Sequence, residues 1–134
     1  MTGLSLKPLQ QALYATLTGD STLMAMITGV FDYVPDTTSF PYVMFGGVSA
    51  ENADALGRRQ MRLKMEIAVY SRSGGKKQAM EILERLHVLL HNTVPTLTGG
   101  QQLMFLGVSD RRIVQESDGL TWRGILTLDG MIQE

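Results

Sequence analysis

Cysteine is absent from this 134-residue chain, which excludes disulfides, thiolate nucleophiles and Cys-ligated metal. An excess of charge of either sign is missing too. With a formal net charge of −1, there is no global basic field to gather nucleic acid, so any contact with DNA depends on a local patch. No apolar run approaches the ~18 residues that a membrane-spanning helix needs. The N-terminal stretch MTGLSLKPLQQALYATLTG does not read as a signal peptide, because Pro8, Gln10 and Gln11 interrupt any apolar core. The expectation is a soluble, cytoplasmic protein. What is present is ordinary globular material, 44% hydrophobic and 19% charged, in a length that fits one domain over residues 1–134 with a real core. Nine methionines suit either adaptable core filling or a surface that repacks against partners.

Periodicity divides the chain. Leu6, Leu9, Leu13 and Leu17 recur at helical spacing, with Pro8 tolerated in the first turn and Gly19 at the stop. Asp20 or Ser21 caps a shorter predicted helix, STLMAMIT. The segment VFDYVPDTTSFPY is an extended crossing, since Pro35 and Pro41 push the residues before them away from helix. A first strand is predicted at about residues 42–48. In the second, Met61, Leu63, Met65, Ile67 and Val69 share one face, and Gln60, Arg62, Lys64 and Glu66 the other. An amphipathic helix over about residues 76–91 carries Ala79, Ile82, Leu83, Leu86, Leu89 and Leu90 on its apolar stripe. Two more strands follow, at about residues 102–114 and 120–132. The last sets Leu120, Trp122, Leu126, Leu128 and Ile132 against Thr121, Arg123, Thr127 and Asp129, with Ile125 an exception. The order α-α-β-β-α-β-β predicts an α+β fold: a four-stranded antiparallel sheet with helices packed on one face.

Catalytic chemistry finds no foothold. Gly47-Val-Ser49-Ala-Glu51 lacks the last glycine of a nucleophile elbow. Ser73-Gly-Gly-Lys-Lys77 misses phosphate-loop spacing, with Tyr70 where the first glycine belongs. Glu84, His87 and His91 share a helical face turned away from Leu86, and no second Glu-x-x-His run completes a metal site. The expectation is therefore no enzyme, no cofactor and no metal.

Between the first two strands stands SAENADALGRRQ, residues 49–60, longer than a hairpin needs. Its apolar groups are only Ala50, Ala53, Ala55 and Leu56, too little burial to offset an ordering entropy of about 1–2 kcal/mol per residue. Such a loop is expected to be mobile alone and ordered by a partner, with Glu51 and Asp54 in its acidic half and Arg58 and Arg59 in its basic half as candidate oligomer-interface residues. Arg62, Lys64 and Arg123 lie on polar strand faces together with further arginines at 111 and 112, a pattern that also admits a polyanion.

The stretches LQQALYATLTGD, VFDYVPDTTSFPYVMFG, IAVYSRSGGKKQAMEILERLHVLL and DGLTWRGILTLDGMI together resemble the tail completion, or tail terminator, proteins of siphovirus-like phages, prophages and gene transfer agents. The landmarks are Pro35, Phe40-Pro41-Tyr42, Ser71-Arg72 and Arg123-Gly124. That resemblance implies a structural virion protein forming a homo-hexameric ring. The ring would cap the tail tube protein and join it to the head connector or stopper, with DNA only in transit and no membrane. It also implies assembly in the host cytoplasm and residence at the head-proximal end of the tail. On that reading Arg62, Lys64 and Arg123 would face a lumen. The alternative is a nucleic-acid-binding accessory protein using the arginine-rich strand face.

Overall fold

The computed structural model describes residues 4–55 and 57–134; Leu56, counted above among the apolar groups of the loop, lies outside them. Helix α1 spans Lys7–Thr18, with Pro8 in the first turn, where a missing N–H costs nothing, and Leu9, Leu13 and Leu17 buried. Helix α2, Ser21–Met24, is a single turn, shorter than its sequence suggests. Asp20 caps it, its Oδ2 accepting from Leu23 N at 2.8 Å. The same carboxylate receives Nε and a terminal nitrogen of Arg85 at 2.9 and 2.6 Å. This arginine stands on α3, Lys77–Leu90, so the capping residue also ties the N-terminal helices to the later one. The fork holds the Asp20 carboxyl below its ordinary range.

The sheet departs from expectation. It is five-stranded and mixed, in the order β1-β2-β3-β5-β4. The additional strand, β1 (Val30–Phe31), arises inside the extended crossing and pairs parallel with β2 (Tyr42–Asn52). The crossing that contains Pro35 and Pro41 offers no competing helix, so Val30 and Phe31 at its start are free to dock on the edge. The remaining strands, β3 (Gln60–Ser71), β4 (Gln102–Gln115) and β5 (Trp122–Gln133), pair antiparallel as predicted.

A second departure concerns the long loop. β2 runs on through Asn52, with Ser49 opposite Lys64 and Glu51 opposite Arg62. Only residues 53–59 connect the strands, and they are braced: Ala53 N donates to Gln60 O at 2.9 Å, and Ala55 and Arg58 exchange backbone bonds. The sequence hid this extension because a bulge falls between Phe45 and Val48. One extra residue at the Gly46-Gly47 pair shifts the period-two pattern, so a single alternation cannot be read through it.

One face of the sheet carries the core. Met61, Leu63, Met65, Ile67 and Val69 of β3, with Leu126, Leu128 and Ile132 of β5, meet Leu9, Leu13 and Leu17 of α1 and Ile82, Leu86 and Leu90 of α3. Leu120 was expected on this face but is 62% exposed, because the chain is still in the turn there and β5 begins at Trp122. Close approach of α3 demands a small residue beneath it. A Cβ on Gly124 would stand 2.9 Å from Leu83 Cδ1 and 3.1 Å from its Cγ. We expect Gly124→Ala to lower stability by about 1–3 kcal/mol, as overpacking does, in a urea titration. Wild-type stability for this variant would show that α3 does not press on β5 in this way.

Candidate assembly surface

Among the described residues, no helix packs on the other face of the sheet. Strand register arranges its side chains in rows that cross four strands. Glu51, Arg62, Met131 and Phe105 form one row, and Ser49, Lys64, Asp129 and Gly107 the next. Glu66, Thr127 and Asp110 follow. Then come Met44, Ala68, Ile125 and Arg112, and finally Tyr42, Tyr70, Arg123 and Val114. Ile125, the exception in the alternation, belongs to this bare face and is nonetheless only 6% exposed, with Ala68 opposite it at 7%.

Arg62, Lys64 and Arg123 do share this face, but not one patch. Lys64 and Tyr70 are six residues apart along β3, and Arg123 pairs with Tyr70, so Arg123 lies about 20 Å from Lys64 along the strand. The basic groups also stand among acids. Lys64 Nζ is 3.7 Å from Asp129 and Arg123 Nε 3.4 Å from Glu116, while Glu51 faces Arg62 across the strands. Arg62, Lys64, Arg112 and Arg123 are balanced by Glu51, Glu66, Asp110 and Asp129 on the same face. This is a charge mosaic, and the arginine richness of the sequence is diluted by carboxylates that register brings beside it.

The four residues expected at an oligomer contact lie on or near the hairpin tip, where β2 and β3 end. Asp54 and Arg59 are engaged within the chain. Asp54 Oδ1 accepts from Gln60 N at 3.0 Å, and Arg59 Nε is 3.5 Å from the Glu134 side chain. Glu51 and Arg58 are exposed, and neither forms an ion pair among the described residues.

The profile of the family described as tail completion protein gp17 matches residues 11–133. The chain belongs to this family. Its role is accordingly that of a structural protein of the phage tail. Among solved structures, a chain of the virion of a native gene transfer agent particle superposes with TM-score 0.87 at 21% identity, covering 96% of each chain. A second solved chain, 19% identical over 96% of both, gives 0.55. The bacteriophage SPP1 gp17 protein is 20% identical over 92% of this chain and 88% of its own, with TM-score 0.49, too low to bear on the fold. No curated protein matches the chain significantly.

In this tail completion protein the landmarks Phe40, Tyr42, Ser71-Arg72 and Arg123 meet at the end of the sheet opposite the hairpin tip. Tyr42 stacks on Tyr70 at 5.2 Å between ring centroids, with Phe40 and Phe31 against Tyr42 at 5.2 and 6.0 Å. Burial pushes the Tyr42 hydroxyl up, and Tyr70 beside it adds to the shift. Arg72 lies 4.3 Å above the Phe40 ring, donates from Nε to Thr121 Oγ1 at 2.8 Å, and reaches Asp118 at 3.3 Å. The Ser71-Arg72 corner thus clamps the β4–β5 turn to the aromatic cluster. Sequence spacing gave no sign of that clamp, because its members are separated by tens of residues.

The histidines are not simply solvated, contrary to expectation. His91 Nδ1 accepts from Val108 N at 3.0 Å, and His87 stacks on His91 at 4.6 Å. Burial, then Arg111 and His91, hold His87 below its ordinary pKa. Both rings are half-buried because β4 curls over the end of α3. Glu84 remains exposed, and among the described residues no group of three or more potential ligands gathers. Ser73-Gly-Gly-Lys-Lys77 forms the turn into α3, with Gly74 at φ 91°, and Gly47-Val-Ser49 lies within β2.

Asp118 is the acid-sensitive element of the clamp. Backbone N–H groups of Thr121 and Leu120 and the Thr121 hydroxyl, with Arg72 nearby, hold its carboxyl at about 2. A depressed folded-state value stabilises above the unfolded value, and that contribution is lost as pH falls through the folded one. We therefore expect the stability gap between wild type and Asp118→Asn to be full at pH 6. It should close as pH falls from about 4 towards 2. Denaturant midpoints at pH 6, 4 and 2.5 measure it, and a gap independent of pH would show that the charge of Asp118 does not brace the turn.

Proposed function

We propose that this tail completion protein caps the head-proximal end of a tail tube as a ring of six copies and joins it to the head connector, its bare sheet face turned to the lumen. The observation that carries this reading is the unequal treatment of the two sheet faces. Helices bury one; the other, among the described residues, is a helix-free mosaic that carries as many acids as bases. A channel for DNA in transit should not hold it tightly, since each neutralised phosphate strengthens binding and releases counterions. Arg62, Lys64 and Arg123 would line that channel, each among carboxylates that weaken its grip. Support for a place in a particle comes from the gene transfer agent virion chain, whose fold this protein shares over nearly its full length. The β2–β3 hairpin arm, with Glu51, Asp54, Arg58 and Arg59 at or near its tip, reaches to a neighbouring copy. A hairpin tip meeting the next copy suits repeated head-to-tail contacts, which close into rings when the rotation allows. Assembly takes place in the host cytoplasm.

Two variants test the assignment. Replacing residues 53–59 by Asn-Gly joins β2 to β3 through a two-residue turn. We expect a folded protein with a cooperative melt that no longer caps uncapped tail tubes, as seen by electron microscopy. Replacing Arg62, Lys64 and Arg123 together by Ala should cost within about half a kcal/mol per site and leave capping intact. Complete six-fold caps from the shortened protein would remove the arm from the contact, and unfolding of the triple variant would show those side chains to be structural.

A further inference from the structure

Both outer edges of the sheet are partly covered, and what remains uncovered is complementary. On β2, the short strand β1 pairs with Val43 and Met44, and among the described residues no strand pairs with residues 46–52 on that side. On β4, the end of α3 closes the middle of the edge: Leu106 O accepts from Asn92 N at 2.9 Å, and Val108 N donates to His91 at 3.0 Å. Beyond it, among the described residues, residues 109–115 have no partner strand except β5. Two open stretches of equal length remain, and such edges pair with further strands unless blocked. Neither stretch contains proline, and both are mostly exposed.

We propose that the uncovered part of β4 in one protomer adds antiparallel to the uncovered part of β2 in a second copy of this chain, with Arg112 directly opposite Glu51. The inference rests on the ring reading and names its joint. Direction follows from topology. Successive antiparallel pairings β2–β3, β3–β5 and β5–β4 leave β4 running opposite to β2. A rotated copy therefore meets it antiparallel, in the arrangement with the more favourable hydrogen-bond geometry.

Register follows from faces and charge. Side chains alternate between faces, so pairing must set bare face against bare face. Ser49 and Glu51 occupy that face on β2, and Asp110, Arg112 and Val114 on β4. Setting Glu51 against Asp110 would oppose like charges, which is destabilising. Setting it against Val114 would leave the arginines unused. Setting it against Arg112 makes an opposite-charge pair, and the same register puts Ala50 against Ile113 and Asn52 against Arg111 on the helix-covered side. Among the described residues, neither Arg111 nor Arg112 has an ion-pair partner within its own chain.

Position along the strands adds a third argument. The open stretch of β2 lies at the hairpin end of the sheet, whereas residues 109–115 lie toward the Tyr42–Tyr70 end. Adding one to the other displaces each copy along the strand direction. Closing a sheet into a cylinder requires such a stagger.

The absence of cysteine makes the joint easy to trap. A Glu51→Cys, Arg112→Cys double variant places the two thiols across one cross-strand pair, with Cβ atoms about 4.5–5.5 Å apart. Oxidised on tail-tube ends or at high protein concentration, it should give a ladder of linked copies on a non-reducing gel, whereas each single variant stops at dimer. As an independent check, Glu51→Lys and Arg112→Glu should each raise the concentration needed for assembly about tenfold, equivalent to roughly 1.4 kcal/mol. Combining them should restore assembly. Rings visible by electron microscopy without a ladder and without charge rescue would overturn the edge pairing and leave the ring reading standing. No ring and no ladder, even on tube ends, would overturn both. A ladder from Asn52→Cys with Arg112→Cys in place of the first pair would overturn the register.

Discussion

The unbroken antiparallel pairing of β3 with β5, from Gln60 opposite Gln133 to Ser71 opposite Trp122, is the constraint on which the other parts depend. These two strands are the centre of the sheet. Their alternation is strict enough that a slip of one residue would turn Leu63, Met65, Ile67, Leu126 and Leu128 out to solvent and bring Lys64 and Asp129 into the core. Each apolar side chain so exposed would lose roughly 1.5–3 kcal/mol. With that pair fixed, β2 and β4 must dock on either side, and the apolar face must be covered by α1 and α3.

Irregularity is confined to the outer strands, where it does useful work. β2 changes register between Phe45 and Val48, and β4 does so between Leu103 and Phe105 and again between Val108 and Asp110. Each bulge re-aims the residues beyond it. The bulge in β2 keeps Val48 opposite Met65 and sends Ser49 and Glu51 to the bare face. Gly130 accommodates the first bulge in β4, since a Cβ there would lie 2.9 Å from Phe105 O. A rigid centre and re-aimed margins suit a structural protein of the phage tail.

Three features of the surface are set by the same strands. The charge mosaic leaves the bare face with little net attraction for a polyanion. The Arg72–Asp118–Thr121 clamp holds the β4–β5 turn against the aromatic end of the sheet, fixing one end of β4. At the opposite end lies the tip of the β2–β3 hairpin. Clamp and arm lie at opposite ends of the same strands, so a rigid sheet relates the positions of the two.

The strong periodicities were legible in the sequence. Leu9, Leu13 and Leu17 on α1, the stripe from Ala79 to Leu90 on α3 and the β3 alternation each report a local period imposed by a single buried face, so neighbours in sequence carry the signal. The resemblance to tail completion proteins was legible in the same way, through short landmarks. Only the tertiary structure decided the rest. β1 is too short to have a period, and its parallel partner lies beyond the Pro35 to Pro41 crossing. The arm was mistaken for a loop because a bulge interrupts alternation while the hydrogen bonds continue. Arg62, Lys64 and Arg123 could be assigned to polar faces from sequence, but the acids that balance them could not. Charge neutrality across a sheet is a property of register between strands, and register is set by packing against the helices.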